Sequence, residues 1–549
     1  MTITLPKPLR TYQYRPLTVF SMLDTDTDRV LPQLFEMCVK GGRSSRSKTN
    51  AGDFAGYRDA MLDGGWVVGF AADGDRALLD GWLRSCVVDM GTVGRSGAGE
   101  QMLGVAPLTL AAYRAGLPKD RTRHAGIDDA VYQLLLDAAQ RGAPGSARTE
   151  LRELVARTLG RGLVIGPEPR WEPRLTDVSQ LDIGALLEFR FLEGVEMGDA
   201  LPTSTEPMDN PLPAVAADLG GMLLAHIRVY GDRLPVPSLM SSFAALMAVG
   251  LFAFSLRVSA AARELLRTGE LPADMRPASQ NGAPPSPLEL YCDFTGDLGS
   301  VSDGMARRCV ERDLDRVRLA FRDRMTFVVV DQALSRIPAE LERREALSRP
   351  ERLAQLASLR SHRRVESYAE GRIDDLVADS LGSEQVTDPE QEFLRATQSR
   401  DVDELSKLLD IMEFVNQSRA TNNSVKWFRS VGGIAKPYGV LRGTSTSRRS
   451  WRYAPGEELL TALLLAVFVD PSGRSSRREM ALRDVLDALE HRFGILVDRP
   501  PAFLDGAEAR AAAAANLEAF KARLQLLGCF DSLSDDFSVQ IVRHPLGDA

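Results

Sequence analysis

The chain has 549 residues, 44% hydrophobic and 26% charged, which is an ordinary globular composition and enough for about three or four domains. Its formal net charge is −8. The five cysteines are scattered without a CxxC pair, and the five histidines form no HxH, HExxH or HxxxH arrangement. These patterns argue against a disulfide framework and a zinc site, so we expect neither a metal nor a cofactor.

The N-terminal sequence MTITLPKPLRTYQY has no apolar run after its charges, so it does not resemble a secretory signal. Because unpaired cysteines suit a reducing compartment, we expect a cytoplasmic protein. Amphipathic patterns follow, including IDDAVYQLLLDAAQRG from Ile127 and a pattern over Thr149–Gly162 with Thr149 as the expected N-cap. They predict a helical N-terminal domain over residues 1–270.

Asp24, Asp26 and Asp28 form an acidic turn near the N-terminus. Their spacing resembles the paired aspartates of haloacid-dehalogenase-type phosphatases, in which one attacks phosphorus and the other protonates the leaving group. That motif has Thr two places after the second Asp, where this chain has Asp28, and no later Asp-Asp pair accompanies it. A turn in which Asp28 caps a helix beginning near Arg29 explains the same residues.

The segment Gly42–Thr49 (GRSSRSKT) resembles the phosphate-binding pattern GxxxxGK[ST], with Ser47 in place of the second glycine. That glycine lets backbone amides approach phosphate closely, so its replacement weakens the match. The partner carboxylate would come from FVVVD (Phe327–Asp331), which lies inside a helical pattern rather than a strand. An enzyme with a divergent phosphate-binding loop at 42–49 therefore stays an alternative to a mobile basic loop.

The run Leu234–Leu256 has no charged residue and is long enough to cross a membrane. Pro235, Pro237 and the serines before its centre argue against a membrane span. A helix that is apolar all round is also typical of the middle of a large helical domain. We expect a buried core helix with Ser238 as its N-cap and no membrane contact.

The segment Gly269–Pro287 carries five prolines with Gly, Asn and Ser, which predicts a linker over residues 271–288. A helical pattern with alternating Arg and Asp runs from about Ser302 to Leu341, and further charge-rich helical patterns follow. The sequence thus predicts a charged helical middle domain over residues 289–418, with its charged faces mostly solvated.

The segment 419–455 reverses the sign of the chain locally. Between Arg419 and Arg452 there are eight basic residues and no Asp or Glu, interleaved with aromatic residues that include Trp427 and Trp451. Cations neutralise phosphates, and rings or guanidinium planes stack on bases, so this mixture is typical of a nucleic-acid groove. A protein-binding arm and a solvated surface loop are the alternatives.

The last part, residues 456–549, has a readable order of elements: helix, short apolar strand, helix, alanine-rich helix and β-hairpin. Over Gly456–Pro545 this order resembles the winged helix-turn-helix family, in topology rather than in a signature motif. The resemblance implies that the third helix enters the DNA major groove and the hairpin touches the backbone. The predicted fold class is therefore mainly α, a multi-domain helical protein with a C-terminal winged-helix (α+β) domain.

The charges of this part favour backbone contact over base readout. The third helix carries Glu508 and Glu518 beside Arg510 and Asn516, and the wing is acidic. From Lys426 onward there are 17 basic and 15 acidic residues. The predicted nucleic-acid contacts are Lys426, Trp427, Arg429, Lys436, Arg442, Arg448, Arg449, Trp451, Arg452, Arg474, Arg477, Arg478, Lys521 and Arg523.

We therefore expect a non-catalytic nucleic-acid-binding or scaffold subunit of a bacterial DNA-processing or anti-phage defence complex. It would bind the phosphate backbone of DNA, rather than that of RNA, and act together with partner proteins. Large helical proteins that end in a winged helix are similar in layout to accessory components of anti-phage defence and restriction-type systems. The alternatives are a transcriptional regulator that senses a ligand or partner, and an enzyme centred on the loop at 42–49.

Overall fold

The structure is a computed structural model. It describes residues 3–10, 13–18, 20, 22–25, 27–44, 54–65, 67–70, 73–92, 100–105, 110, 126–142, 145–167, 171–181, 183–193, 201–202, 210–276, 288–335, 347–381, 386–434, 436–530 and 540–547. Within these ranges the protein is mainly helical, as predicted, and its strands are short and paired two by two.

Helices dominate the N-terminal half. They are α1 (Thr27–Val39), α2 (Phe54–Asp63), α3 (Asp73–Cys86), α4 (Ile127–Gly142), α5 (Ala147–Leu159), α6 (Ile183–Glu193) and α7 (Pro213–Tyr230). The strands are β1 (Arg43–Ser44) with β6 (Leu201–Pro202), β2 (Val88–Thr92) with β3 (Glu100–Val105), and β4 (Leu163–Ile165) with β5 (Pro173–Leu175), all antiparallel. Helix α5 follows Ser146 rather than the predicted cap Thr149, because Gly145, at φ +88, turns the chain just before it.

The apolar run forms α8 (Val236–Thr268), the central helix of the fold. It is long and apolar enough to cross a membrane, yet 89% of its most apolar window is buried by the protein itself. It packs against α1 and α7 and against the C-terminal half described below. The helix begins after Pro235 and not at the predicted cap Ser238, because Pro237 fits the first helical turn, where no intrahelical N–H bond is lost.

The second half begins with β7 (Leu290–Tyr291) and continues with long helices. They are α9 (Val301–Leu334), α10 (Arg349–Ser358), α11 (Arg363–Leu381), α12 (Asp388–Gln398) and α13 (Glu404–Val431). Capping boxes, Ser348 with Glu351 and Thr387 with Glu390, begin α10 and α12. Helix α9 lies between α8 and α13, so the charge-rich middle of the chain is part of the helical core.

The C-terminal part alternates helices with short strands. In order these are β8 (Leu441–Thr444), β9 (Ser447–Tyr453), α14 (Glu457–Phe468), β10 (Glu479–Ala481), α15 (Leu482–Phe493), β11 (Ile495–Leu496), α16 (Ala507–Leu526) and β12 (Ile541–Arg543). Strand β10 pairs antiparallel with β12, β8 pairs antiparallel with β9, and β11 pairs parallel with β7. The predicted tip of the last hairpin, 531–539, lies outside the described residues.

Most buried apolar side chains of the described ranges form one core that extends from Ile3 to Val542. A smaller cluster joins α2, α3, α6, β2 and β3. Met275 and Leu288, on either side of the proline-rich segment, are both buried in the larger core, while 277–287 lie outside the described residues. The division of the chain at 270, 418 and 455 stays a prediction, and in the structure helices from all these parts share one core.

Candidate nucleic-acid interface

The acid-free segment, residues 419–452, forms the end of a helix and a hairpin joined by a turn, so most of it is not the surface loop of the alternative. Up to Val431 it is the C-terminal end of α13, and from Leu441 it is the hairpin of β8 and β9. Gly433 lies between them at φ +70, and a Cβ on it would lie 2.6 Å from the Cα of Gly439. Glycine is therefore needed where the chain leaves the helix and turns towards the hairpin.

The aromatic residues of the segment lie in the core. Trp427 stacks on Phe252 of α8 with ring centroids 5.7 Å apart, and Phe428 stacks on Trp451 at 6.3 Å. Trp427 and Trp451 are only 0% and 2% exposed. The predicted stacking of these two rings on bases is therefore corrected, because neither ring is accessible. Their burial stabilises the junction of α8, α13 and the hairpin.

A buried polar network holds the last residue of β9 against α9. Tyr453 Oη donates to Asp313 Oδ2 at 3.0 Å, and Arg312 Nε donates to Asp313 Oδ1 at 2.9 Å. Burial raises the pKa of Tyr453 and also that of Asp313, although the Arg312 guanidinium opposes the rise at Asp313. Removing one partner would leave the others buried and unpaired, so this network strongly favours the observed position of β9.

A second set of contacts holds the middle of β9. Arg307 donates from Nη1 to the carbonyl of Arg449 and from Nε to Asp303 Oδ2, both at 2.8 Å. Asp303 is 1% exposed, and its Oδ1 lies 3.3 Å from Arg452 Nε. The guanidinium of Arg452 thus already has a carboxylate beside it. Arg452 contributes to fixing the hairpin and is less available to a phosphate than predicted.

Two other predicted contacts also have partners within the protein. Arg442 donates to the carbonyls of Lys436, Pro437 and Ala454, and burial lowers its pKa. Arg429 lies 3.8 Å from an Asp24 carboxylate oxygen. These side chains hold the segment in place, so their predicted role as phosphate contacts is not supported by their positions.

Arg448 and Arg449 differ from these residues. They are exposed near the turn of the hairpin, and within the described part of the chain neither guanidinium has a carboxylate or hydrogen-bond partner. Lys426 is exposed on α13, and Lys436 is half-buried. The hairpin therefore presents two adjacent arginines whose charges no carboxylate of the described residues neutralises, and contacts with α9 fix its backbone.

A second basic group lies in the turn after α14. Arg474, Arg477 and Arg478 are exposed there, and Asp470 organises the turn by accepting a hydrogen bond from Ser472 Oγ at 2.5 Å. Hydrogen bonds from serine hydroxyls lower the pKa of Asp470 to about 2. The hairpin precedes α14 and this turn follows it. A helix of 12 residues spans about 18 Å, so the structure separates the predicted contacts into two groups.

The proposed recognition helix α16 has no unpaired cation among its predicted contacts. Lys521 Nζ lies 2.7 Å from Glu518, and Arg523 lies 3.6 Å from Glu457. Asn516 is fully buried. Lys521 and Arg523 are thus less available to a phosphate than predicted, because each has a carboxylate beside it.

The other chemical motifs of the sequence fall partly outside the described residues. Residues 45–49 of the phosphate-binding pattern and Asp26 of the aspartate turn lie outside the described residues. FVVVD is helical, as expected, inside α9, and its Asp331 accepts a hydrogen bond from Tyr14 Oη at 3.1 Å. Among the described residues no group of His, Cys, Asp and Glu is placed to hold a metal ion.

Sequence reasoning missed Asp303, Arg307 and Asp313 as the supports of the hairpin. They belong to the alternating Arg and Asp pattern of α9, which predicted a solvated face. Asp303 and Asp313 are nevertheless at most 1% exposed. Only the position of β9, more than a hundred residues away in the chain, distinguishes them from surface charges.

The chain was also compared with known proteins. Residues 7–546 match the model of a family described as methylation-associated defense system protein MAD7. Searches of curated proteins and of solved structures found no significant match. The family match confirms the prediction of a defence-system protein and makes the chain a component of a methylation-associated defence system. The chain belongs to the MAD7 family of methylation-associated defense system proteins.

Proposed function

We propose that this protein is a non-catalytic, nucleic-acid-binding subunit of its defence system and that it grips the phosphate backbone of duplex DNA. The observation that carries the proposal is the pair Arg448 and Arg449, exposed and unneutralised on the anchored hairpin. Such cations release counterions from DNA, and because the hairpin backbone is already anchored, no loop has to be ordered on binding. The turn with Arg474, Arg477 and Arg478 provides a second contact.

Backbone contact without base readout is the mode that these residues support best. The cations of α16 are paired with Glu518, Glu457 and Asp505, whereas sequence readout needs free side chains at base edges. The proposal includes a cytoplasmic location, where the protein would meet DNA.

We also propose that the C-terminal unit is a winged helix used to dock a partner protein. Support comes from the order α14, β10, α15, α16, β12, from the pairing of β10 with β12, and from the bridge between Phe530 and Val542. The outer side of α16 presents Ala511, Ala514 and Ala515, and Leu526 at its end is 76% exposed. Such a small, apolar surface suits close packing against a protein better than contact with phosphate.

The backbone proposal is tested with the full chain and a fluorescent duplex DNA over a salt series. The double variant Arg448→Ala/Arg449→Ala should bind more weakly. The slope of log K against log salt should flatten by about 0.9 per lost phosphate contact, about 1.8 for both. Anisotropy at each salt concentration measures both effects.

The matched control is Arg363→Ala/Arg364→Ala, which removes two adjacent exposed arginines from the start of α11. It changes the net charge by the same amount and should leave the slope almost unchanged. Equal effects of the two double variants would mean that only net charge matters. No binding of the unmodified protein at low salt would refute the proposal.

A further inference from the structure

A cleft of about 410 Å³ runs along α13, between the middle of α9 and the end of α12. Its volume falls in the range of small-molecule sites, about 300 to 1,000 Å³. It is lined by Arg318, Phe321, Phe393, Arg400, Asp410, Glu413, Phe414, Gln417, Ala420, Thr421 and Ser424. On α13 these residues recur every three or four positions, so one face of the helix forms one side of the cleft.

Aromatic rings form the apolar part of the cleft. Phe393 of α12 and Phe414 of α13 stack with centroids 4.0 Å apart and planes inclined by 13°. Phe321 of α9, 5% exposed, completes this part. Flat rings that are already fixed by packing provide a surface on which a planar ligand can stack at little entropic cost.

Polar groups without protein partners line the same cleft. Ser424 is 4% exposed, and its hydroxyl has no hydrogen-bond partner among the described residues although it lines the cavity. The buried Nε of Arg318 also lacks an acceptor, while its Nη1 donates to Asp315 at 3.1 Å. The Ser424 hydroxyl and the Arg318 guanidinium both line the cleft, so they are the groups to which a ligand there would form hydrogen bonds.

The acidic residues of the cleft are neutralised. Arg400 Nη1 lies 2.5 Å from Asp410 Oδ2, and Arg322 lies 2.8 Å from Asp410 Oδ1 and 2.5 Å from Glu413 Oε2. A cationic ligand is therefore not favoured at the end of the cleft with Asp410 and Glu413, because arginines already neutralise both carboxylates. The remaining chemistry is an aromatic surface beside a hydroxyl and a guanidinium N–H, which fits a neutral planar ring with a polar edge.

We propose that this cleft binds a nucleobase, either in a free nucleoside or nucleotide or in an unpaired nucleic-acid strand. The base would stack on the phenylalanine rings and direct its polar edge to Ser424 and Arg318. The site is distinct from the hairpin. Arg307, which contacts the hairpin, and Arg318 lie on the same helix, about 17 Å apart along its axis. The proposal does not rest on backbone binding by Arg448 and Arg449.

The test is isothermal titration of the full chain with each of the four deoxynucleosides and with single-stranded dT and dA oligonucleotides. At least one probe should bind, and Phe414→Leu and Ser424→Ala should each weaken it. We expect about tenfold from loss of the ring. Ser418→Ala on the same helix is the control, because Ser418 is exposed and outside the cleft; it should change affinity less than about twofold.

Each outcome decides the proposal. Binding of nucleosides identifies a free ligand, and binding of oligonucleotides alone identifies an unpaired strand, provided that Ser424→Ala weakens it. Binding that Ser424→Ala and Phe414→Leu leave unchanged, in variants with an unaltered circular dichroism spectrum, overturns the site. So does no heat from any probe up to about 1 mM, a concentration that detects weak sites. The double hairpin variant should retain nucleoside affinity, which separates this site from the backbone interface.

Discussion

At the scale of single residues, Asn516 shows how position decides chemistry. In the sequence, Asn516 is one of the polar side chains of the helix that the winged-helix resemblance places in the DNA major groove. In the structure it is 0% exposed and accepts a hydrogen bond from the Phe294 N–H at 2.7 Å. Its Nδ2 donates to the carbonyls of Cys292 and Val497, both at 2.9 Å. Asn516 thus joins α16 to the segments that contain β7 and β11.

We predict that Asn516→Ala lowers the free energy of unfolding by at least about 3 kcal/mol, because one N–H and two carbonyls are left buried and unpaired. Urea unfolding followed by circular dichroism measures the change. Asn422→Ala is the matched control, since Asn422 is exposed on α13, and it should cost less than about 0.5 kcal/mol. A loss below about 1 kcal/mol in Asn516→Ala would contradict the assigned role.

At the scale of elements, close helix packing depends on one glycine of an adjacent pair. Helix α7 packs against α4. A Cβ on Gly220 would lie 2.3 Å from the backbone carbonyl oxygen of Leu134, whereas a Cβ on Gly221 meets nothing within 4 Å. A backbone atom in a packed helix cannot move aside as a flexible side chain does, so the two positions differ although their sequence context is the same.

We therefore expect opposite effects from the same substitution. Gly220→Ala should destabilise the protein by about 2 kcal/mol or more, because α7 must move away from α4. Gly221→Ala should stabilise it by up to about 1 kcal/mol, because alanine is the better helix former. Thermal unfolding of the two variants, made in parallel, provides the comparison. Equal shifts in Tm would show that α7 and α4 are not in this close contact.

At the scale of the whole molecule, the C-terminal unit, residues 456–549, packs closely against the rest of the chain. Helix α14 is buried on nearly every side and packs against α8. The Tyr230 hydroxyl of α7 donates to the Leu465 carbonyl at 2.8 Å, and the Leu290 N–H donates to the Gly494 carbonyl at 2.7 Å. The unit thus depends on partners more than a hundred residues away.

We predict that a fragment of residues 456–549 does not fold by itself, because α14 would expose an apolar surface that α8 normally covers. Its ¹⁵N–¹H correlation spectrum should show poor dispersion, and its denaturant unfolding should lack a cooperative transition. The full chain, measured under the same conditions, should unfold cooperatively. A well-dispersed spectrum from the fragment would contradict this prediction and would indicate an independent domain.

Local patterns alone were sufficient to identify many elements. The alanine-rich helix predicted in the C-terminal part is observed as Ala507–Leu526, and the apolar run at 234–256 is the buried central helix. Gly494 ends α15 with φ +72, a left-handed conformation that favours glycine. Helix ends were less predictable, since Ser146 and Pro235 precede helices for which Thr149 and Ser238 were expected.

By itself the sequence determined where the net charge of the chain changes sign, that many stretches are helical, and that the segment 419–455 is the most basic part of an acidic protein. Composition and periodicity are local properties, so a single chain is enough to establish them. Tertiary structure alone decided that Trp427 and Trp451 are core residues while Arg448 and Arg449 face solvent. Burial depends on elements distant in sequence, here α8 against Trp427, α13 against Trp451, and α9 against the hairpin.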